Sequence, residues 1–579
     1  MIATPMITSQ FDSLLGTSYI PDDDEILQVR SLITEKGREL EKIDAEMSRI
    51  MASYVKLKKT RERMRADIEP YRRFIAISRR LPDYILQQIF LSCLPEQYGA
   101  IMSVREPPLI FTLVCRRWRQ LALSTPSLWA SFYVPVPLPS YSFGDEEEQI
   151  PEDPALTVTV ARVKAIQDWG QRAQQCPLAI TLRNELSYNS DGQVYYDLLL
   201  SAILSLSKCW KHLAIFATVP QIQRVVGLSQ SQAPNLESLT VAANTPREDE
   251  NMQTPFDNPE LFKSTALRRL TFRALYGNIR IMPISWSTLT HISVSEGYAC
   301  KTHSVDDIAY ILTACKRLIS FSFDMGVIHQ YDELHTSSPR DMPAISLPHL
   351  KHIHLRTGHH VTGDAPAAGL PLDVPAIQEV SYYFAQSLTR PSALHFWLET
   401  SYGRLQTLET SHTLFQQDDF LACLYLCPNL ETLKIDVSSG PMTAPLPVWA
   451  FSDEFFRRFT TFDDSRRILC PKMKKLQFVT ERRFNELTDG GILELIRGKQ
   501  DGNVSGLSKL EILDMFLPRR QSIPLGVHVN PYVDDGLDLR LAFEHEADNT
   551  GLRPSFNRPP EPFRWDVRQE ARRYYDSLT

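Results

Sequence analysis

Eleven times between Trp210 and Met515 the chain repeats one six-residue phrase, apolar-x-x-apolar-x-apolar, with a polar last residue only in the copy at 405. It reads WKHLAI at 210, LESLTV at 236, LRRLTF at 267, LTHISV at 289, LISFSF at 318 and LKHIHL at 350. It continues as IQEVSY at 377, LQTLET at 405, LETLKI at 430, MKKLQF at 473 and LEILDM at 510. Successive copies are 26, 31, 22, 29, 32, 27, 28, 25, 43 and 37 residues apart. One strand and one helix occupy about that length, and such a pair buries its apolar side only against its neighbours. Within each phrase, alternation sends the apolar positions into the core and the intervening ones to the opposite face. Two arrangements satisfy this pattern: a stack of strand–helix repeats, or a non-repeating α/β domain whose strands begin alike. The two longest steps leave room for inserted helices.

A different period governs the N-terminal part. Positions 26, 29, 33, 36, 40, 43, 47, 50, 54, 57, 61, 64 and 68 alternate steps of three and four, and only Lys36 and Arg61 among them are charged. A 3.5-residue repeat held this long is the mark of a coiled-coil helix. Pro21 and the acids Asp22, Asp23 and Asp24 suit its N-terminus, and Pro70 is expected to end it. The seam fits self-association as a homodimer, or one long helix laid on its own chain.

Leu81-Pro82 then opens a new helix with Ile85, Leu86, Ile89, Phe90 and Cys93 on one side. A second amphipathic helix is expected in LIFTLVCRRWRQLALSTPSLW, with Leu113, Val114, Cys115, Trp118 and Leu121 on its apolar side. So small a unit carries more large apolar groups than it can cover, which implies a partner. These residues, LPDYILQQIF followed by PPLIFTLVCRRWRQLALSTPSLW, resemble an F-box. Leu81, Pro82, Ile85, Leu86, Ile89, Phe90, Val114, Cys115, Trp118 and Leu121 match its pattern, and Tyr84 stands where an acid is common. The variant is similar to F-box proteins of mushroom-forming fungi, which also carry a heptad helix upstream.

The resemblance implies the substrate-recognition subunit of an SCF-type cullin RING ubiquitin ligase. Leu81, Pro82, Ile85, Leu86, Ile89, Phe90, Leu113, Val114, Cys115, Trp118 and Leu121 would bind the Skp-type adaptor and, through it, a cullin. The repeats resemble a divergent leucine-rich repeat, without an asparagine ladder, and would choose an unknown protein substrate. A coiled-coil interaction scaffold uncoupled from ubiquitination is the alternative.

The expected fold is therefore a multidomain α + α/β chain: a long coiled-coil helix, a small three-helix F-box and an irregular leucine-rich-repeat-like solenoid. Its divisions are a disordered 1–21, the helix at 22–70, the F-box at 78–133 and an acidic linker at 140–155. The solenoid follows at 156–545, and a tail with a terminal helix at 546–579. Just after the linker, VTVARVKAIQDWGQRAQQCPLAITL is expected to run strand, helix, strand, with Val163, Ile166 and Trp169 inward.

A net charge of −7 with no sustained basic stripe speaks against nucleic acid as a partner. No apolar run is long enough to span a bilayer and the N-terminus has no secretory pattern, so the expectation is cytoplasmic and/or nuclear. Nine scattered cysteines without a C-x-x-C pair suggest buried reduced thiols rather than disulfides or zinc, and Cys423 and Cys427 read as core. No nucleotide-binding, protease or hydrolase motif is present, which suggests no enzyme and no cofactor. His352, His354, His359 and His360 form a histidine cluster, read as part of a polar sheet face rather than a metal site. In the copies from Leu267 to Leu350 the intervening positions hold no acid. Arg268, Arg269, His291, Lys351, His352 and His354 there are candidates for binding an acidic or phosphorylated substrate.

Overall fold

Four successive backbone forks explain the gap in the repeated phrase. In a computed structural model of the chain, Arg268 and Arg269 both donate their N–H groups to the Glu237 carbonyl, at 2.8 and 2.9 Å. Thr290 and His291 do the same to Arg268, Ile319 and Ser320 to Thr290, and Lys351 and His352 to Ile319. The fork recurs up to Glu511 and Ile512, which share the carbonyl of Lys474. Two consecutive donors on one acceptor force a local irregularity before regular pairing begins. Hence two residues, not one, separate the first apolar position from the second.

The structure describes residues 11, 14, 16–75, 77–95, 99–137, 154–183, 192–243, 256–273, 279–295, 305–324, 344–356, 370–383, 392–401, 403–411, 414–436, 449–463, 465–479, 485–501, 504, 506–517, 522–523 and 525–543. The chain divides into two units, Met1–Ser92 and Cys93–Thr579. The architecture is broadly α + α/β: a long N-terminal helix, then an α/β region built on one large parallel sheet.

In the first unit, helix α1 spans Asp23–Phe74, and Asp22 and Glu25 close a reciprocal capping box at its start. The expected stop at Pro70 is corrected: the helix continues through it for one more turn. Proline there removes one N–H close to the C-terminus, where few intrahelical bonds remain to lose. Helix α2 follows at Asp83–Ser92, its first bonds accepted by the Pro82 carbonyl.

The main sheet of the second unit has fifteen strands among the described residues, paired in chain order and each parallel to the next. They are β1 (Ala100–Ile101), β2 (Ser131–Pro135), β3 (Leu178–Arg183), β4 (Trp210–Ala217), β5 (Ser238–Ala243), β6 (Arg269–Arg273), β7 (His291–Ser295) and β8 (Ser320–Asp324). The series runs on through β9 (His352–Arg356), β10 (Glu379–Tyr383), β11 (Thr407–Thr410), β12 (Thr432–Asp436), β13 (Lys475–Val479), β14 (Ile512–Leu517) and β15 (Asp538–Phe543). The eleven phrases are β4 to β14. Their register is unbroken, so Leu270, Ile292, Phe321, Ile353, Val380, Leu408 and Leu433 form one buried row across the sheet. Alternate positions of these strands are only half-buried or exposed, leaving one face of the sheet uncovered. The longest step, from β12 to β13, holds the short helix Asp453–Arg457 in a cluster of phenylalanine rings from Phe420 to Phe478.

Three local expectations are overturned. The stretch from Val158 to Val160, expected to be a strand, lies in helix α5 (Pro154–Ala173), which also starts inside the expected 140–155 linker. Thr159 is buried and its hydroxyl donates to the Ala155 carbonyl, while Val158 and Val160 point outward. The inward face of Ile166, Trp169 and Ala173 overrides local propensity. The single helix expected from Leu109 and ended by Pro126 is two, α3 (Phe111–Val114) and α4 (Arg116–Leu123). Cys115 between them is extended, and its sulfur accepts from the Trp118 N–H at 3.4 Å. Finally, β1 and the first residues of β2 lie within 78–133, so part of that segment begins the sheet. The terminal tail at 546–579 lies outside the described residues, as do His359, His360 and most of 1–21.

Candidate functional site

In the first unit, α2 separates its apolar residues into two roles. Leu86 and Phe90 are 1% and 0% exposed, whereas Ile89 is 41% exposed. Leu81 and Ile85 are half-buried and Pro82 is exposed. In the second unit, the break at Cys115 turns Leu113 and Val114 outward, at 59% and 57% exposed, with Ile110 and Cys115 exposed beside them. Leu121 and Phe111 are buried, and the Trp118 ring meets Phe111 edge-on at 6.3 Å. Below them Trp129 donates to the Ala122 carbonyl and packs against Trp169, with the Arg172 guanidinium over its ring. Of the eleven expected adaptor contacts, Leu86, Phe90 and Leu121 are buried within the chain itself. Their helical spacing alone did not separate core from surface.

The uncovered sheet face brings together most of the second candidate set. Register aligns Arg269, His291, Ser320, His352 and Glu379 in one row. A second row holds Thr271, Ser293, Ser322, His354 and Ser381, and a third holds Arg273, Ser295, Asp324, Arg356 and Tyr383. Burial, then the neighbouring Arg269, holds the His291 imidazole below its usual range, and burial does the same for His354. The guanidinium groups are the permanent positive charges of the face. Three candidates are placed differently from the others. Arg268 precedes its strand and its guanidinium donates to the carbonyls of Thr265 and Leu267. His352 pairs with the Glu379 carboxylate at 2.9 Å, which counters positive charge at that edge. Lys351 also precedes its strand. The third row, invisible in the repeated phrase because it lies one residue beyond it, adds Arg273 and Arg356.

The cysteines are more varied than the sequence suggested. Cys93 and Cys115 are exposed and Cys176 and Cys209 half-buried, while Cys315, Cys423, Cys427 and Cys470 are buried thiols. No helix among the described residues is long and apolar enough to cross a membrane. A scan against protein-family models and a search of curated proteins each returned no match.

Proposed function

We propose that the protein is a non-catalytic substrate-recognition subunit of an SCF-type cullin RING ubiquitin ligase. Residues 81 to about 130 engage the Skp-type adaptor as an F-box, and the repeats, read as a leucine-rich-repeat-like solenoid, capture the substrate. The observation that carries the reading is the outward placement of Leu113 and Val114 beside exposed Ile110, over a core of Phe111, Leu121 and Trp129. Large apolar side chains stay wet at a cost of about 1.5–3 kcal/mol each relative to burial, so neighbouring ones mark a contact surface. The F-box motif supplies the identity of that partner. For the repeats, support comes from the sequential parallel pairing, and from Asn235 and Asn429, which donate to Lys208 and Gly403, one repeat earlier.

The test replaces exposed anchors only. Leu113→Ala with Val114→Ala lowers adaptor co-precipitation at least tenfold, and the circular dichroism spectrum stays unchanged. Undiminished capture of the adaptor by this well-folded variant would falsify the assignment, and the scaffold reading would then stand.

A further inference from the structure

Helix α6 (Ala393–Thr400) follows β10, and helix α7 (Gln417–Tyr425) follows β11. They are the return helices of adjacent repeats. On α7, Asp419 and Cys423 are four residues apart and share one face. On α6, His395 lies one turn from the cap, Ser392. A His395 ring nitrogen, an Asp419 carboxylate oxygen and the Cys423 sulfur all lie within 4.8 Å of one another. No sequence motif announces this set, because its members lie on different repeats.

Two further observations point to a ligand. His395 Nδ1 is buried and has no hydrogen-bond partner, which is costly unless something occupies it. The ring's other nitrogen, Nε2, faces the Glu399 carboxylate at 3.4 Å, one turn along α6. A carboxylate on one imidazole nitrogen leaves the other as a lone pair, the arrangement that supports metal-bound histidines. The second observation is Tyr382 on β10. It is fully buried, its hydroxyl has no partner, and Cys423 and Asp419 lie near enough to act on it electrostatically. Ser392 completes the surroundings: its N–H donates to Asp419 at 3.2 Å and its hydroxyl lies 3.7 Å from the Cys423 sulfur.

We propose that His395, Asp419 and Cys423 form a zinc site that ties two neighbouring return helices together. A thiolate and an imidazole favour zinc over calcium or magnesium, and zinc imposes no geometry of its own. Metal–ligand lengths of about 2.0–2.3 Å place tetrahedral donors some 3.3–3.8 Å apart, so donors at the 4.8 Å limit close by about 1–1.5 Å. Three protein ligands leave one position for a water or a further donor. Cys427, also buried, is not a member: its thiol donates to the Cys423 carbonyl at 3.3 Å. In the metal-free chain, burial pushes the Cys423 thiol up, so it is protonated. Zinc uptake then replaces that proton with the metal and releases it to solvent.

Cobalt(II) is the probe, added to full-length protein after chelator treatment and dialysis. The expected result is one equivalent bound, with tetrahedral ligand-field bands and a thiolate-to-cobalt charge-transfer band, both abolished by zinc. Cys423→Ser removes the charge-transfer band, and His395→Gln weakens zinc binding at least tenfold. Exchanging the exposed thiols, as Cys93→Ser with Cys115→Ser, leaves the spectrum intact. Absence of a charge-transfer band in the unmodified chain overturns the site, whatever the variants do. So does a band that survives Cys423→Ser or disappears in the double exposed-thiol variant.

Discussion

Lys499 is 1% exposed, in the helix Asp489–Gln500, with its amine 3.4 Å from the Pro471 carbonyl. Burial pushes its pKa down to about 8. An unfolded lysine titrates near 10.4, so the folded chain disfavours the charge by about 3 kcal/mol below pH 8. The sign is definite: stability rises with pH between about 8 and 10, where the unfolded state holds the extra proton. Lys499→Met is expected to raise stability at pH 7 by about 1–2 kcal/mol, less than the full amount because the bond to Pro471 is lost. Denaturant unfolding at pH 7 and pH 10 checks this, and a gain equal at both pH values counts against it. His212, His291 and His354 act at a lower pH. Burial lowers all three, so the unfolded chain takes up their protons first. Their contribution is complete above about pH 6.5 and is lost as the pH falls below it. His354→Gln should flatten the decline in melting temperature between pH 7 and pH 5.5; an unaltered slope places the decline elsewhere.

At the scale of elements, α1 poses the sharpest energetic question. Every seam position from Ile33 to Ile68 is exposed, with Ile43 and Ile50 at 58% and 61%. The long helix has a full capping box but little else to hold it, and an isolated helix draws modest stability from propensity alone. A second copy is the partner that a strict heptad seam fits. The full-length protein is expected to run at twice the monomer mass in light scattering at tens of micromolar. Ile43→Asp with Ile50→Asp returns it to one, because unpaired carboxylates cannot enter the seam. A monomeric unmodified chain removes self-association as the helix's role. The two-residue gap of the repeats was legible as a pattern, but its cause, two donors on one carbonyl, belongs to pairing between strands.

Across the whole molecule, substrate choice is expected to lie on the uncovered face near β6 to β9. Arg269 and Arg273 project from the same strand, and arginine pairs carboxylate or phosphate through two parallel bonds. Arg269→Glu with Arg273→Glu reverses the charge there without touching the buried row. Proteins captured with the proteasome blocked should disappear from the purified complex while the adaptor remains. An unchanged captured set assigns the face to solvation alone.

Periodicity by itself determined the long helix, eleven of the fifteen strands and the residues that form their buried row. The reason is that a solvent-facing and a core-facing side impose their repeat directly on residue order. The inward face of Ile166 and Trp169 was legible, but the start of the helix at Pro154–Ala173 was not, because burying Thr159 on that face outweighs the strand preference of Val158 and Val160. Nor was the break at Cys115, which divides exposed Leu113 and Val114 from buried Leu121. Only the tertiary structure brought His395 to Asp419 and Cys423. Stacking sets residues one repeat apart side by side, and no local pattern records that neighbourhood.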